Sequence, residues 1–478
     1  MIDPNSVREA IIEAPFELDN KGETPHPGTL YIPLAHRKAL AREATLVVGA
    51  RGVGKSFWTS ALSNDALRNQ IGASVQDLVN TDVRVGFAVN SNLDAYPDRA
   101  TFRQLLCLGK EPETVWKSVV LRWLAEVVNH AIPRASWTET AQWVANNPES
   151  FARIAEAADT KLAEQGRFGL IVFDAMDRTS ADWDEMNRIV RDVLQVALWM
   201  RGFSQLRAKV FLRPDQLDRS KTNFVDASKI LSTRVDLTWD RSDLHAMMWQ
   251  RLINAAECYG ENIRTLVSSA LPPSEALKNE GSAWKLPTAL ASEAPHQRRL
   301  FELLAGDKMG KDARRGVPYV WSVSHLADGH GWTSPRSFLA AIHGAAEDSR
   351  KRYGEHPLPL HYESIKRGIQ KASKIRVEQV AEDDSWVPEV MAPLKDRNVP
   401  SDYETIRQQW ESAFPNGPSD LHSEHLPPQH REKGWDGVRL DLERLGILVT
   451  RRDGRVDMPD LYRVGFGLGR RGGVRPGH

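Results

Sequence analysis

The stretch Ala44-Thr45-Leu46-Val47-Val48-Gly49-Ala50-Arg51-Gly52-Val53-Gly54-Lys55-Ser56-Phe57 decides how this chain is read. Its first five residues are apolar or β-branched and stop at a glycine, which predicts a short buried strand. Gly49 to Ser56 then fits Gly-x-x-x-x-Gly-Lys-Ser/Thr at every fixed position. Glycines there let the backbone turn tightly and present bare N–H groups to phosphate oxygens. A helix opening after the loop adds unsatisfied N–H groups and a positive dipole end, both suited to an anion. Lys55 has the reach for the β- and γ-phosphates, and the Ser56 hydroxyl suits Mg²⁺. Chance produces this pattern in roughly one or two of a hundred chains this long, and the strand before it makes accident rarer still. Gly49, Arg51, Gly52, Val53, Gly54, Lys55, Ser56 and Phe57 are therefore the expected nucleotide contacts, with ATP and Mg²⁺ as ligands.

Magnesium held on a triphosphate needs a carboxylate from a neighbouring strand. Leu170-Ile171-Val172-Phe173-Asp174 supplies one, a continuous apolar run ending in an acid. Asp174 and Ser56 are the expected metal ligands. Asp177, three residues on, is a candidate base for the attacking water, or simply the cap of the next helix. Further strands are expected at 83–89, 209–212 and 234–239. Helical spacing of Val115, Trp116, Val119, Trp123 and Leu124, and of Ile189, Val193, Ala197 and Met200, separates them. Buried strands alternating with helices predict an α/β fold with a mostly parallel sheet flanked by helices.

One strand lies in sequence between the phosphate loop and the acidic strand. That order resembles the P-loop class with an added central strand, which includes the AAA+, STAND and KAP NTPases. Phe173-Asp174-Ala175-Met176-Asp177-Arg178 is similar to the STAND/KAP acidic motif, with Ala175 where those proteins usually carry a second acid. The resemblance implies an ATPase, and Ala175 implies slow turnover. It further implies that Arg213, at the tip of Lys209-Val210-Phe211-Leu212, reads the γ-phosphate. Arg336, in Ser334-Pro335-Arg336, resembles the arginine through which a helical lid feels the nucleotide. Lys55, Asp174, Asp177 and Arg213 are thus the expected catalytic set. Such proteins are often oligomeric switches in bacterial antiphage defence, which implies a homo-oligomer and a protein partner or effector. An arginine finger from a neighbouring copy would be Arg178, Arg219 or Arg241.

Composition narrows the alternatives. The chain has 478 residues, 41% of them hydrophobic, and 63 basic residues balance 63 acidic ones. That suits about three structural units and excludes wholesale disorder or a strongly basic nucleic-acid binder. Two distant cysteines, Cys107 and Cys258, exclude a disulfide scaffold and a cysteine-based zinc site. No signal peptide or bilayer-length apolar run is visible, so a cytoplasmic protein without membrane association is expected. His422, His425 and His430 show no metal-binding spacing and read as a solvated loop.

The expected organisation is an N-terminal extension (1–43), a P-loop NTPase core (44–258), a helical lid with a long loop insertion (259–350) and a helical linker region (351–430). A winged-helix-like α+β module with a basic, glycine-rich tail follows (431–478). Val438, Leu442 and Leu445 mark a helix stopping at Gly446, and Asp453-Gly454 sits between two strand-like runs. Arg451, Arg452, Arg455, Arg470 and Arg471 could meet duplex DNA phosphates or a protein partner. Hence an alternative reading stays open, a DNA-handling ATPase of the origin-recognition or transposition-helper kind. A second alternative is a nucleotide-binding scaffold with little turnover.

Overall fold

The computed structural model describes residues 3–16, 25–180, 182–217, 224–272, 275–281, 283–292, 294–423, 426–470, 474 and 476. They fall into two compact units. One runs from Ile32 to Thr238; the other holds the N-terminal helix, residues 26–31 and the chain from Trp239 onward. The boundary therefore falls at Thr238, not at Cys258.

In the first unit, β1 (Leu46–Val48), β2 (Thr81–Phe87), β3 (Phe168–Phe173), β4 (Leu206–Leu212) and β5 (Val235–Asp236) form a parallel sheet ordered β2-β3-β4-β1-β5. The apolar run Leu170–Phe173 is buried without interruption, as a strand covered on both faces requires. The fifth strand is shorter than the expected 234–239, yet Leu237 N still donates to Val48 O at 2.7 Å. Helices flank the sheet. Pro112–Val128 starts with Pro112 in its first turn, and Trp183–Met200 is capped by Asp182, which accepts from Glu185 N at 2.8 Å. Trp116 fastens these two helices by donating Nε1 to Ile189 O at 3.1 Å, and its ring meets Phe173 edge-on at 5.4 Å.

Strand order sets the site. β4 lies between β1 and β3, pairing Val48 with Leu212 and Phe173 with Val210. The carboxyl ends of β1, β3 and β4, followed by Gly49, Asp174 and Arg213, therefore share one edge of the sheet, where ligands bind in open α/β folds.

The second unit is mostly helical. Pro335–Arg352 and Tyr362–Asp383 pack tightly together. Their approach depends on Gly368, where a Cβ would stand 2.1 Å from Ala341 O. The supposed N-terminal extension contributes a helix, Pro4–Ile12, capped by Asp3, with Val7, Ala10 and Ile11 in this unit's core. Its Arg8 is fully buried and donates to the carbonyls of Gly354, His356, Leu358 and Pro359. The expected loop insertion is largely ordered: a hairpin pairs Lys278–Glu280 with Ala283–Lys285, and helices Ala294–Ala305 and Pro318–Ser324 follow. The proline, glycine, serine and charge between them hid these elements, although Leu300, Phe301, Leu304, Tyr319 and Val323 are buried.

The C-terminal module is a winged helix that begins well before residue 431. Helices Trp386–Met391, Tyr403–Ala413 and Gly434–Arg444 precede the wing, Val449–Thr450 paired with Val456–Asp457. Ser401 adds the short third strand by exchanging backbone bonds with Val456 at 2.8 and 2.9 Å. Gly446 ends the third helix at φ +71°, as expected. Among the described residues near the C-terminal end, Leu468 and Val474 are buried, and Arg463, with no exposed surface, donates to the carbonyls of both. Arg471 lies outside the described residues, as do Arg219 and His425. His430 is no solvated loop residue, since its Nδ1 meets Asp441 Oδ1 at 2.5 Å. Among the described residues no helix is long and apolar enough to cross a membrane.

Candidate nucleotide-binding site

Gly49 leaves β1 with its N–H still bonded to Leu212 O at 3.0 Å, so the loop starts in sheet register. It then turns through Gly52 at φ +79° and Gly54 at φ +106°. At Gly54 any side chain would be strained by the backbone alone. Gly54 also caps the helix Lys55–Ser63 and, lacking a side chain, offers no side-chain cap to that helix's first N–H groups. A side-chain-free cradle opening onto bare amides suits a phosphate chain.

Lys55 Nζ donates to Gly49 O at 2.8 Å and Ala50 O at 3.1 Å, bridging the loop it serves. Burial lowers its pKa to about 8; Arg213 adds to that, and Asp174, Asp177 and Asp215 oppose it. Ser56 Oγ donates to Asp174 Oδ2 at 2.7 Å, joining the loop to the tip of β3. Asp174 is buried, which raises its pKa, while the Ser56 bond and the Lys55 charge pull it down. A hydroxyl and a buried carboxylate oxygen in contact, beside an ammonium, form the hard-oxygen pair that suits Mg²⁺ beside a triphosphate. The residues present thus fit both ligands expected from the sequence.

Ala175 takes the left-handed conformation at φ +57° and opens the short turn Met176–Arg178. That turn brings Asp177 to 3.7 Å from Arg213 Nη1. Arg213 Nη2 meets Asp215 Oδ2 at 3.0 Å. Burial would raise Asp177, but Arg213 and Lys55 outweigh it and hold the carboxyl below its ordinary value. Lys55, Ser56, Asp174, Asp177 and Arg213 therefore converge on one edge of one sheet. Asp215 was missed in the sequence, although Arg213-Pro214-Asp215 places it a short turn from Arg213.

Around the loop, Val53 is buried, Arg51 and Phe57 are half-buried, and Phe57 meets Trp58 edge-on at 5.1 Å. Arg336 follows its predicted local structure: Ser334 caps the helix, accepting from Ser337 N at 3.1 Å, and Pro335 lies in the first turn. It belongs to the second unit, apart in the chain from the residues above. Arg178 and Arg241 are both exposed.

No known family model matches the chain. No curated protein matches it either. Among solved structures it is similar to the Aeropyrum pernix ORC1 protein in complex with DNA, at 14% identity and TM-score 0.35, covering 95% of this chain and 93% of that one. It is also similar to the Aeropyrum pernix ORC2 protein in its ADPNP-ADP complexes, at 12% identity and TM-score 0.41, covering 90% and 92%. The ADP form of the latter gives 11% identity and TM-score 0.31, covering 90% and 91%.

Most of the described arginines in and around the wing are ion-paired within the module. Arg451 Nε donates to Asp457 Oδ2 at 2.8 Å, and Arg455 Nη2 to Asp453 Oδ2 at 2.7 Å. Arg470 is paired with both Asp457 and Asp460. On the third helix, Arg439 lies over the Tyr403 ring at 4.3 Å and Arg444 Nη1 contacts His430 Nε2 at 3.2 Å. Only Arg452, of the five arginines expected to make contacts, is described without an ion pair; it is exposed. The neutralising acids lie two residues away for Arg455, six for Arg451, and ten and thirteen for Arg470.

Proposed function

We propose that this protein is an ATP-driven switch that binds Mg-ATP at the Gly49–Ser56 loop and hydrolyses it slowly. The Ser56–Asp174 bond at 2.7 Å carries this reading, because it joins the loop hydroxyl to the acidic strand across the width of β4. Lys55 and the loop amides would hold the phosphates, and Ser56 and Asp174 the magnesium. Bound there, Mg²⁺ supplies charge neutralisation on the phosphate oxygens. Asp177, ionised at neutral pH, would accept the proton of the attacking water as the bond from the γ-phosphorus to its bridging oxygen breaks, giving ADP and phosphate. A carboxyl held low by Arg213 and Lys55 is a weak base, which supports slow turnover. Arg213 would sense the γ-phosphate, and Arg336 would report it within the helical unit.

The finer assignment, a STAND/KAP-like oligomeric switch in a bacterial conflict system, rests on the resemblance of the acidic motif and of Arg213. Titration calorimetry tests the core of it. The full chain should bind Mg-ATP, and Lys55→Ala should reduce that affinity at least about tenfold, the scale of one lost charge-assisted contact. No heat at millimolar Mg-ATP would refute the reading. Mass photometry with and without Mg-ATP tests oligomerisation, and an unchanged mass would remove the switch.

The winged helix favours one second reading, a DNA-handling ATPase. Its charge pairing favours a protein partner instead. If Arg452 alone of the four described arginines is uncommitted, duplex affinity should fall with salt at a logarithmic slope of about −1, against about −4 for four free ones. The steeper slope would restore the DNA reading.

A further inference from the structure

The winged-helix module encloses a half-open cavity of about 140 Å³, built from residues remote in sequence from the phosphate loop. Its floor is apolar: Leu394, Val399, Ile406, Leu448, Met458 and Leu468 line it, and all are buried. Its rim is polar, with Arg397, Asn398, Ser401, Thr405 and Gln409. The lining contains one charged side chain, a guanidinium, and no acid. Arg397 is exposed, and its Nη2 donates to Gln409 Oε1 at 2.8 Å. That bond ties the cation to another rim residue and occupies that amide's acceptor, leaving the guanidinium as the single charge at the mouth.

Size and chemistry select a ligand. An apolar cavity of about 150 Å³ accommodates benzene, so a single ring or a branched aliphatic body would fill this one. A guanidinium among neutral polar groups, with no acid beside it, suits a carboxylate, which can accept two parallel bonds from it. Few polar groups around an apolar hollow is the general pattern of a small-molecule site.

We propose that this cavity binds a small monocarboxylate with a compact apolar body. The bound ligand would touch Met458, which directly follows the wing, and Ser401, whose backbone pairs with Val456 of the wing. It would also touch Leu468 in the C-terminal segment. Its presence would therefore stiffen the wing and the chain end together.

Benzoate is the probe and benzene the uncharged control, each titrated into the full-length chain and followed by ligand-observed NMR and thermal melting. Benzoate should bind and raise the melting temperature. Arg397→Gln, on an exposed side chain, should weaken benzoate about tenfold, the scale of one charge-assisted contact, and leave benzene unchanged. Ile406→Phe should weaken both by filling the floor; circular dichroism checks that it folds, and Arg397→Gln decides the matter if it does not. No benzoate binding at tens of millimolar overturns the proposal. So does benzoate binding that Arg397→Gln leaves intact.

Discussion

His36 should make the first unit acid-sensitive, in proportion to the depth at which it is held. It sits in the helix Leu34–Leu40 with no exposed surface. Its Nδ1 accepts from Trp58 Nε1 at 3.2 Å, and Nε2 lies 2.9 Å from Thr238 O. Only the tautomer with its proton on Nε2 satisfies both partners. A second proton would have to enter at Nδ1, against the Trp58 N–H, and Trp58 lies on the helix that follows the phosphate loop. Burial accordingly lowers the pKa from 6.5 to about 4, a displacement worth about 3 kcal/mol. The sign follows from proton counts: between these values the unfolded chain binds the proton and the folded chain does not. The contribution is complete above pH 6.5, is lost as pH falls towards 4, and changes no further below that. Native-state hydrogen exchange at Leu46–Val48, corrected for intrinsic rates, should show it. Between pH 7 and pH 4 the wild type should lose about 3 kcal/mol more protection than His36→Gln, which cannot titrate. Parallel curves for the two proteins would refute the reasoning.

Asp177→Asn should lower kcat for ATP about a hundredfold or more while KM changes little, since a base acts in the chemical step; an unchanged kcat would remove Asp177 from the mechanism. Ala175→Gly should stabilise the first unit by about 0.5–1 kcal/mol in urea unfolding, because a left-handed alanine costs about 1–2 kcal/mol and glycine's extra chain entropy returns part of that. Arg8→Ala should destabilise the second unit by about 3 kcal/mol or more, leaving buried carbonyls unpartnered; a change below about 1 kcal/mol would show that water replaces the guanidinium.

Local signals carried most of the first unit. The Gly49–Ser56 loop, the apolar run into Asp174 and the run into Arg213 are each contiguous, and all three reach the same edge because parallel strands align their ends. What escaped was long-range or polar. Nothing near Lys209 announces that its ammonium caps the carbonyls of Ala39, Ala41 and Ala44, since that cage closes only when β4 slides beside β1. His36 likewise gains its partners from residues 22 and 202 positions away. The winged helix was legible from its last helix and hairpin. Its earlier half was not, because Ser401 becomes a strand only by pairing with Val456.

If the site acts as proposed, Ala175 would let binding and hydrolysis separate within it. On the proposed function, nucleotide affinity would depend on Lys55, Ser56 and Asp174, whose geometry is fixed by β1, β3 and the loop glycines. Asp177 depends instead on the turn that Ala175 opens in a conformation unfavourable to it. That turn sets the carboxyl against Arg213, where it is stabilised as an anion and loses basicity. A second acid at position 175 would add negative charge beside Asp174 and Asp177, raising both carboxyls and strengthening the base. Ala175 omits that charge, leaving Arg213 and Lys55 to dominate Asp177. The same arginine that would read the γ-phosphate therefore restrains the base, and a phosphate drawing Arg213 towards itself would loosen that restraint.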